Sequence, residues 1–340
     1  MRAALLTSYH RPLDLVDLPD PEPQRHDDVV VRVGGAGVCA TDLHAVDGWM
    51  EEAGVRPPRV LGHENAGWVA AVGDGVSTVA VGDPVVVYPA QSCGLCLACR
   101  RGDDMRCVSG MFNGLSAEGG FAEYLRTTER SLVKLAAGIE PADVAPHADA
   151  GVTAYHAVRK VCGLARPGSV SVVIGIGGLG HIGLQLLAAL GSGTVVAVDA
   201  DERCRRLAAE LGADHVAGAG QVVEVARDLS GGRGADLVID FVGSDSTHAD
   251  ALAALAQGGT YSVVGYGGNV HVPSISLVAN EQTVVGNLVG NWPDLYELLE
   301  LHTTGKIVLR TERHRLEDVN GVLEALRHGE VFGRAVLVPA

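Results

Sequence analysis

The sequence predicts an α/β protein that combines a β-rich part with a doubly wound parallel sheet. Two patterns predict this fold class. Before residue 140, short apolar runs alternate with turn signals, and no segment keeps a long helical period. After residue 170, β-branched runs alternate with stretches of helical period, which is typical of a parallel sheet with helices on both faces. The length of 340 residues allows two buried cores.

The β-rich part is expected at the start of the chain. Prolines break the opening, and G-D, G-V and D-G turns separate the apolar runs that follow. Short strands at such spacing favour a partly barrel-like domain. The predicted strands are Asp28–Val33, Trp68–Val72, Pro84–Tyr88 and Phe121–Leu125, with a weak helical pattern near Thr41–Gly48.

The alternation of strands and helices begins after Pro141. A helix is predicted over Ala150–Val161, and Pro167-Gly168 ends that segment. Strands are predicted at 170–174, 194–199, 236–240 and 260–264, and helices at 181–191, 202–211, 221–229 and 246–256. Beyond residue 285, the patterns predict helices at Pro293–Thr304 and Leu316–Arg327 and a closing strand at Arg334–Val338.

Charge and hydropathy exclude several classes of function. The chain has 41 acidic and 26 basic residues, a formal net charge of −15. Such a surface repels phosphates, so neither nucleic acid nor a membrane is an expected partner. No apolar run is long enough to span a membrane, and the N-terminus lacks the apolar core of a signal peptide. A cytoplasmic location is therefore expected.

The segment from Val172 to Asp199 carries the most informative motif. A strand-like run ends in a glycine cluster, a helical pattern follows, and a second strand-like run ends in an acid. In this context a G-x-G-x-x-G match predicts a dinucleotide-binding loop of a Rossmann sheet. Gly175 permits the tight turn, Gly177 lets the backbone approach a pyrophosphate, and Gly180 lets the helix pack on the strand.

The acid at the end of the second strand predicts which dinucleotide binds. Asp199 stands where a carboxylate accepts the adenosine ribose hydroxyls and repels a 2′-phosphate, so the expected cofactor is NAD rather than NADP. Gly178 and Leu179 complete the loop. The helix that follows offers unpaired N–H groups and a positive dipole end to the phosphates.

Four of the seven cysteines lie within one short segment, Cys93, Cys96, Cys99 and Cys107. Four thiolates can close a tetrahedral zinc shell, and these spacings let one loop supply all of them. The alternative is a set of free or disulfide-paired cysteines. A reducing compartment disfavours the disulfides, and four cysteines this close together by chance would be rare in a chain with seven. A closed shell has no open position, so this zinc is expected to be structural.

A second candidate set is scattered, and it includes Cys39 in G-V-C-A-T-D-L-H and His63-Glu64 in L-G-H-E-N. Each residue also has an ordinary interpretation. Cys39 is equally compatible with a small buried side chain, His63 with a core histidine and Glu64 with a surface charge. Spacing alone leaves a catalytic metal here no better supported than these alternatives.

Taken together, the motifs resemble those of the zinc-dependent medium-chain alcohol dehydrogenases over essentially the whole chain. The shared patterns are G-V-C-x-T-D-L-H, G-H-E-x-x-G at Gly62–Gly67, the cysteine lobe, the glycine loop, G-V-T-x-Y-H-A at Gly151–Ala157 and G-R-A-V-L at Gly333–Leu337. Bacterial members that interconvert secondary alcohols and ketones are the most similar by motif. The resemblance implies a GroES-like catalytic domain beside the Rossmann domain.

The resemblance also implies a catalytic zinc. Cys39 and His63 would be ligands, and Glu64 would be a neighbouring or alternate ligand. Many members place a cysteine two residues before the G-V-T glycine, and this chain has Asp149 there. Some bacterial relatives carry an acid at this place, and a carboxylate oxygen is an acceptable zinc ligand. Asp149 is therefore expected to complete the site, with a helix cap as the competing role.

Further roles come from the family pattern. Thr41 and His44 would form a proton path from the substrate through the coenzyme ribose to solvent, and a histidine suits its outer end. The alternatives are a helix-capping hydroxyl and a solvated helix residue. The coenzyme contacts that the resemblance implies are Thr153, Val242, Val264, Val289 and Arg334, the last towards the pyrophosphate. Core packing or surface charge are the alternatives for these five residues.

The sequence therefore predicts a zinc-dependent alcohol dehydrogenase that transfers a hydride between an alcohol and NAD⁺, with zinc as the Lewis acid. The catalytic domain is expected at 1–148, the NAD domain at 149–287, and a segment at 288–340 that returns to the catalytic domain. A homo-oligomer, dimer or tetramer, is expected. The alternatives are a polyol or threonine dehydrogenase of the same family and, from another class, a thiol-based redox sensor that binds NAD.

Overall fold

The structure is a computed structural model that describes residues 1–340. It divides into two compact units. Unit 1 comprises Met1–Val152, Asn291–Thr303 and Leu309–Ala340, and unit 2 comprises Thr153–Gly290 and Thr304–Val308. The sequence-based domain boundaries at 148 and 287 remain a prediction.

Strands dominate the first 149 residues. They are β1 (Arg2–Leu6), β2 (Asp14–Asp17), β3 (Asp28–Gly37), β4 (Arg59–Val60), β5 (Glu64–Val72), β6 (Pro84–Val87), β7 (Ala90–Gln91), β8 (Met111–Phe112), β9 (Tyr124–Thr128) and β10 (Leu132–Lys134). The helices between them are short: α1 (Ala40–Val46), α2 (Leu97–Arg100) and α3 (Pro141–Val144).

Helices and strands alternate through the rest of the chain. The helices are α4 (Ala150–Val161), α5 (Gly180–Leu190), α6 (Glu202–Glu210), α7 (Val222–Leu229), α8 (Asp245–Ala254), α9 (Ser274–Asn280), α10 (Trp292–Thr303) and α11 (Val319–Arg327). The strands are β11 (Val170–Ile174), β12 (Thr194–Val198), β13 (His215–Ala217), β14 (Ala235–Asp240), β15 (Leu255–Val263), β16 (Thr283–Gly286), β17 (Thr311–Arg315) and β18 (Arg334–Val338).

The main sheet of unit 1 has the order β10-β6-β5-β3-β18-β17, with β9 paired to β3. Its centre is β3, in which every residue except Arg32 is buried. Strands β2, β1 and β4 form a second sheet, and β7 pairs with β8. Alternate valines of β3 and β6 pack into one apolar core with residues of β1, β9, α11 and β18.

The register of this sheet determines which side chains meet at one end. Gly37 at the end of β3 pairs with Glu64 at the start of β5. Gly37 also pairs with Val336 of antiparallel β18, so the start of that strand runs towards the residue that follows β3. Cys39, His63, Glu64 and Arg334 therefore converge at one sheet end, although they are far apart in the sequence.

Unit 2 is a parallel sheet of six strands in the order β13-β12-β11-β14-β15-β16. This order reverses between β11 and β14, which is the doubly wound arrangement that places ligands beyond the carboxyl ends of the strands at the reversal. Strand β11 is buried at all five positions because helices cover both faces of the sheet. The predicted α/β class, with a doubly wound sheet and a β-rich part, is confirmed.

Some element predictions were wrong in detail. The strand expected at Phe121–Leu125 lies at β9, because the Phe121 N–H donates to the Leu61 carbonyl outside the β3 ladder. The helix expected from Leu316 begins as a 3₁₀ turn and becomes α-helical at Val319. Strand β17 was not predicted, since its sequence T-E-R-H-R has no apolar alternation.

None of the helices is long and apolar enough to span a membrane.

Candidate functional site

The glycine loop of unit 2 has the geometry that a bound dinucleotide needs. Gly175 follows β11 with φ +82°, a conformation that favours glycine. Gly177 is exposed, and no atom lies within 4 Å of the position where a Cβ would stand. A Cβ on Gly180, by contrast, would collide with the Gly175 carbonyl oxygen. The loop is therefore packed tightly on the protein side and open in front of Gly177, at the N-terminus of α5.

Asp199 lies directly after β12, and its carboxylate is hydrogen-bonded to the glycine loop. Its Oδ2 accepts a hydrogen bond from the Ile176 N–H at 2.6 Å, and its Oδ1 accepts one from the Asp201 N–H at 2.8 Å. The carboxylate thus joins the end of the second strand to the turn after the first. This is the position from which an acid contacts the adenosine ribose.

The other predicted coenzyme residues of unit 2 lie at strand ends, in loops and in helix α4. Val242 follows β14 and its side chain lies against Gly175, where an added Cβ would overlap it. Val264 follows β15. Val289 has φ +43°, which is strained for a β-branched residue and is typical of functional loops. Thr153 lies in α4, and Gly178 and Leu179 form the turn before α5.

The four cysteines of the lobe converge as predicted. Their sulfur atoms all lie within 4.8 Å of one another. The Cys96–Cys99 and Cys93–Cys99 sulfur distances are 3.5 and 4.0 Å. Two sulfurs bound to one tetrahedral zinc at 2.3 Å would lie about 3.8 Å apart, so the set fits zinc without rearrangement.

Two features of the lobe affect how readily its thiols ionise, as metal binding requires. The N–H groups of Leu95 and Cys96 each donate to the Cys93 sulfur at 3.4 Å, and they lower the pKa of Cys93 to about 6. Burial raises the pKa of Cys99 to about 12. A buried thiol of that kind ionises when a metal supplies the compensating charge.

The scattered set also comes together, in unit 1. One ligand atom from each of Cys39, His63, Glu64 and Asp149 lies within 4.8 Å of the others. His63 Nε2 and Asp149 Oδ2 are 3.5 Å apart. Two ligands at about 2.0–2.2 Å from a tetrahedral zinc would be separated by about 3.4 Å. The distances therefore match a shared ion.

Unsatisfied polar atoms give an independent test of this fit. Nε2 of His63, on the side of Asp149, and Oε2 of Glu64 are buried without a hydrogen-bond partner. A buried polar atom left in this state costs about 1–3 kcal/mol. Burial opposes a charge on His63, yet Asp42 and Asp149 raise its pKa well above the ordinary value. The pocket thus attracts positive charge, which a divalent cation would supply.

Asp42 orients two of the candidate ligands, and the sequence analysis missed it. Its Oδ2 accepts a hydrogen bond from the Cys39 N–H at 2.9 Å, and its Oδ1 lies 3.3 Å from His63 Nδ1. Asp42 is fully buried. A carboxylate behind a metal-binding histidine fixes the ring and raises its basicity. The available signal was an acid three residues after the N-cap Cys39, the pattern of a capping box.

Glu64 and Arg334 form a buried ion pair, with Arg334 Nη2 donating to Glu64 Oε1. Both residues belong to unit 1, and Arg334 is the first residue of β18. The surface-charge interpretation of Glu64 is wrong, since its side chain is completely buried. The sequence placed Arg334 towards the coenzyme pyrophosphate, whereas its observed partner is Glu64. The coenzyme role of Arg334 remains a prediction.

Thr41 and His44 lie on α1, directly after Cys39. The imidazole of His44 stacks on Trp49, with ring centroids 5.0 Å apart and an interplanar angle of 12°. Burial lowers the pKa of His44, and the nearby Asp47 partly opposes this shift. His44 is thus neutral at pH 7 and able to accept a proton.

Comparison with known proteins places these features in one family. Residues 25–137 match the family described as "Alcohol dehydrogenase GroES-like domain", and residues 178–304 match "Zinc-binding dehydrogenase". An NAD-dependent alcohol dehydrogenase of Sulfurisphaera tokodaii is 36% identical, with 100% of both chains covered. A D-arabinose 1-dehydrogenase (NADP(+)) of Saccharolobus solfataricus is also 36% identical, over 99% of this chain and 97% of its own.

The structural comparison agrees. The crystal structure of an alcohol dehydrogenase from Aeropyrum pernix matches with a TM-score of 0.96 and 44% identity, covering 100% of both chains. The two relatives and this crystal structure each match over 97% or more of both chains. The chain belongs to the zinc-dependent medium-chain alcohol dehydrogenase family.

Proposed function

We propose that this protein is an NAD-dependent dehydrogenase of secondary or broad-range alcohols, which it converts to ketones or aldehydes. The observation that carries the proposal is the convergence of Cys39, His63, Glu64 and Asp149 in unit 1, of which the first three are buried and Asp149 is partly buried. A set with a thiolate, an imidazole and carboxylates suits zinc, and three ligands leave a position for substrate. The glycine loop of unit 2 supplies the coenzyme site.

In this proposal Cys39, His63 and Asp149 hold the catalytic zinc, and Glu64 is the neighbouring or alternate ligand. When bound, zinc supplies Lewis-acid chemistry that polarises the substrate oxygen. Asp42 fixes Cys39 and His63 through the contacts described above. Cys93, Cys96, Cys99 and Cys107 hold a second, structural zinc.

Thr41 and His44 are proposed to move the proton that leaves the alcohol hydroxyl. The Thr41 hydroxyl can both accept and donate a hydrogen bond, so it can pass a proton on. His44 accepts the proton because burial keeps its imidazole neutral. The stack on Trp49 holds the ring in one orientation.

The glycine loop and Asp199 are proposed to bind NAD and to select it over NADP. NAD supplies the hydride acceptor. A 2′-phosphate beside Asp199 would bring two negative charges together. The nearby arginines already have partners: Arg203 pairs with Asp201 at 2.7 Å, and Arg205 donates to the Asp199 carbonyl at 2.7 Å. We therefore expect a higher kcat/KM with NAD⁺, and equal or better use of NADP⁺ would contradict the proposed selectivity.

We also propose that the protein is a homo-oligomer, a dimer or a tetramer. Strand β16 is the edge of the unit 2 sheet and pairs only with β15. Apolar side chains of α9, the helix that precedes β16 in the chain, are exposed, with Ile275 at 69% and Val278 at 73%. An exposed edge with an apolar flank favours pairing with a second copy. Light scattering coupled to size-exclusion chromatography measures the assembly, and a monomer would refute this part.

The free state of all seven cysteines supports a cytoplasmic location.

The decisive experiment combines a metal count with a substrate panel. Purified protein should contain two zinc ions per chain and oxidise simple secondary alcohols with NAD⁺. The panel includes polyols, threonine and D-arabinose, because a D-arabinose dehydrogenase is among the relatives. Clear preference for a sugar or polyol would establish the alternative substrate class. Absence of metal together with a reducible disulfide in the cysteine lobe would favour the redox sensor and end the dehydrogenase proposal.

A further inference from the structure

A buried polar chain in unit 2 lies outside the motifs described above. It consists of Asp240 at the end of β14, Tyr261 in β15 and His248 in α8. The Tyr261 hydroxyl donates to Asp240 Oδ2 at 2.9 Å, and His248 Nδ1 lies 2.5 Å from the same hydroxyl. All three residues are at most 2% exposed.

The geometry fixes the direction of the chain. Burial and the neighbouring Asp240 raise the pKa of Tyr261, so its hydroxyl keeps its single proton. That proton is donated to Asp240, and the hydroxyl oxygen is therefore the acceptor towards His248. Hydrogen bonds in series polarise one another in a dry interior. His248 thus donates to Tyr261, and Tyr261 donates to Asp240.

Asp240 connects this chain of hydrogen bonds to two backbone turns. Its Oδ1 accepts hydrogen bonds from the N–H groups of Val242 and Gly243 at 2.8 and 3.1 Å. Its main-chain carbonyl accepts from Val264 and Gly265 at 2.9 and 3.0 Å. One residue therefore fixes the turn after β14 and the turn after β15.

These two turns border the glycine loop at the reversal of the sheet. The Val242 side chain lies against Gly175, and Phe241 fills the space beside Gly183 of α5, where a methyl group would collide with its ring. Backbone atoms of Gly243 and Gly265 are also in close contact. A shift of the turn after β14 would consequently move both Val242 and the wall of the glycine loop.

We propose that His248, Tyr261 and Asp240 are positioning residues for coenzyme binding, which act by holding Val242 and Val264 at the edge of the glycine loop. The inference rests on the proposed function, because it needs these two valines to border the bound coenzyme. The proposal requires no contact between these three residues and the coenzyme. They would act on coenzyme binding through the backbone of the two turns.

Tyr261→Phe is the informative change, since it removes one oxygen atom and keeps the buried ring. We expect the variant to bind NADH about 3- to 30-fold more weakly than the wild type, measured by titration of NADH fluorescence well below the melting temperature. KM for NAD⁺ should rise more than kcat falls. Hydrogen exchange measured by mass spectrometry should show faster exchange at Val242 and Gly243.

Ser230→Ala is the matched control. Ser230 Oγ is also buried and accepts the Gly234 N–H at 2.8 Å, just before β14 begins and thus at the opposite end from Asp240. This variant should lose stability while it retains its affinity for NADH. Equal weakening of NADH binding in both variants would indicate a general loss of rigidity in unit 2 and would overturn the inference.

A second pair of variants applies even if Tyr261→Phe does not fold. His248→Asn keeps a donor near the position of Nδ1 and should bind NADH nearly as the wild type does, whereas His248→Leu should not. Unchanged NADH affinity and unchanged exchange at Val242 in His248→Leu would refute the positioning role. Failure of the wild type itself to bind NADH would instead refute the proposed function.

Discussion

Replacing Gly177 by alanine separates a glycine kept for ligand binding from a glycine kept for packing. Gly177 is exposed, lacks a positive φ and has no atom within 4 Å of an added Cβ. Gly180, three residues later, is buried, and an added Cβ there would collide with the Gly175 carbonyl oxygen. We therefore expect the folded protein to accommodate a methyl group at Gly177 but not at Gly180.

The expected magnitudes differ accordingly. At Gly177 the free energy of unfolding should change by less than about 0.5 kcal/mol, as for an ordinary surface substitution. The methyl group would occupy the space into which the pyrophosphate fits and would break hydrogen bonds to it. A hydrogen bond to a charged group contributes about 1.5–3 kcal/mol, which corresponds to about 10- to 150-fold in affinity. At Gly180 the collision should reduce stability by about 1–3 kcal/mol or more.

Calorimetry and titration with NADH test both expectations on the same samples. Gly177→Ala should melt within about 2 °C of the wild type and bind NADH weakly, since a change of 1 kcal/mol shifts the melting temperature of a large domain by about 2–4 °C. Gly180→Ala should melt several degrees lower. Normal NADH binding by Gly177→Ala would refute the assignment of the loop to the pyrophosphate.

Three further outcomes test the metal sites and the proton path. Cys99→Ser should contain one zinc ion fewer by elemental analysis and melt at a lower temperature, because structural zinc contributes to folding, whereas Cys162→Ser should match the wild type. Asp149→Asn should lose the catalytic zinc or turn over at least about 100-fold more slowly while the cysteine lobe keeps its metal, and Asp149→Cys should retain both ions; two zinc ions with normal turnover in Asp149→Asn would make Glu64 the candidate ligand. His44→Gln should lower kcat/KM about 100-fold near neutral pH, the lower end of general acid–base catalysis. The pKa of His44 lies below its ordinary 6.5, so the wild-type activity that depends on neutral His44 is present at pH 7 and is lost as pH falls through that pKa. The variant should lack this loss, and identical pH profiles would contradict the proton path.

The sequence predicted unit 2 more accurately than unit 1. In unit 2 the alternation of buried β-branched runs with helical periods is local, and the predicted strand at 170–174 matches β11 to the residue. The predicted helix at 150–161 also matches α4 to the residue, and α4 enters unit 2 at Thr153. In unit 1 short strands pair with distant partners. Strand β17 has no apolar pattern because it lies at the sheet edge with exposed side chains, so its existence depends on pairing with β18.

The two candidate metal sites differ in the same way, since local spacing predicts one of them and not the other. The four cysteines of the lobe come from one short segment, so their spacing alone predicted that they meet. The convergence of Cys39 with His63 was predicted only through the family resemblance, because it depends on the register of β3 and β5. No local sequence pattern predicts that Arg334 pairs with Glu64, which lies 270 residues earlier.

The ion pair of Glu64 and Arg334 contributes to the charge balance of the proposed catalytic zinc site. A Cys39 thiolate and an Asp149 carboxylate together neutralise a divalent ion, so Glu64 and the buried Asp42 are carboxyl groups beyond that balance. Arg334 supplies the opposite charge to Glu64, and both members of that pair are buried. Loss of one partner from a buried pair leaves an uncompensated charge and costs about 3–5 kcal/mol, whereas replacement of both is often nearly neutral. Arg334→Met should therefore destabilise the protein strongly, and Glu64→Gln combined with Arg334→Met should restore most of the lost stability.

The same pair of variants decides between the two roles of Arg334. If Arg334 serves mainly as the counter-charge of Glu64, the double variant should bind NADH nearly as the wild type does once it is stable. If its guanidinium contacts the pyrophosphate, both variants should bind NADH weakly, because stability returns without the positive charge. Denaturant unfolding and NADH titration, carried out on the wild type, each single variant and the double variant, complete the cycle. Additive losses of stability in the double variant would show that the pair does not balance charge at this site.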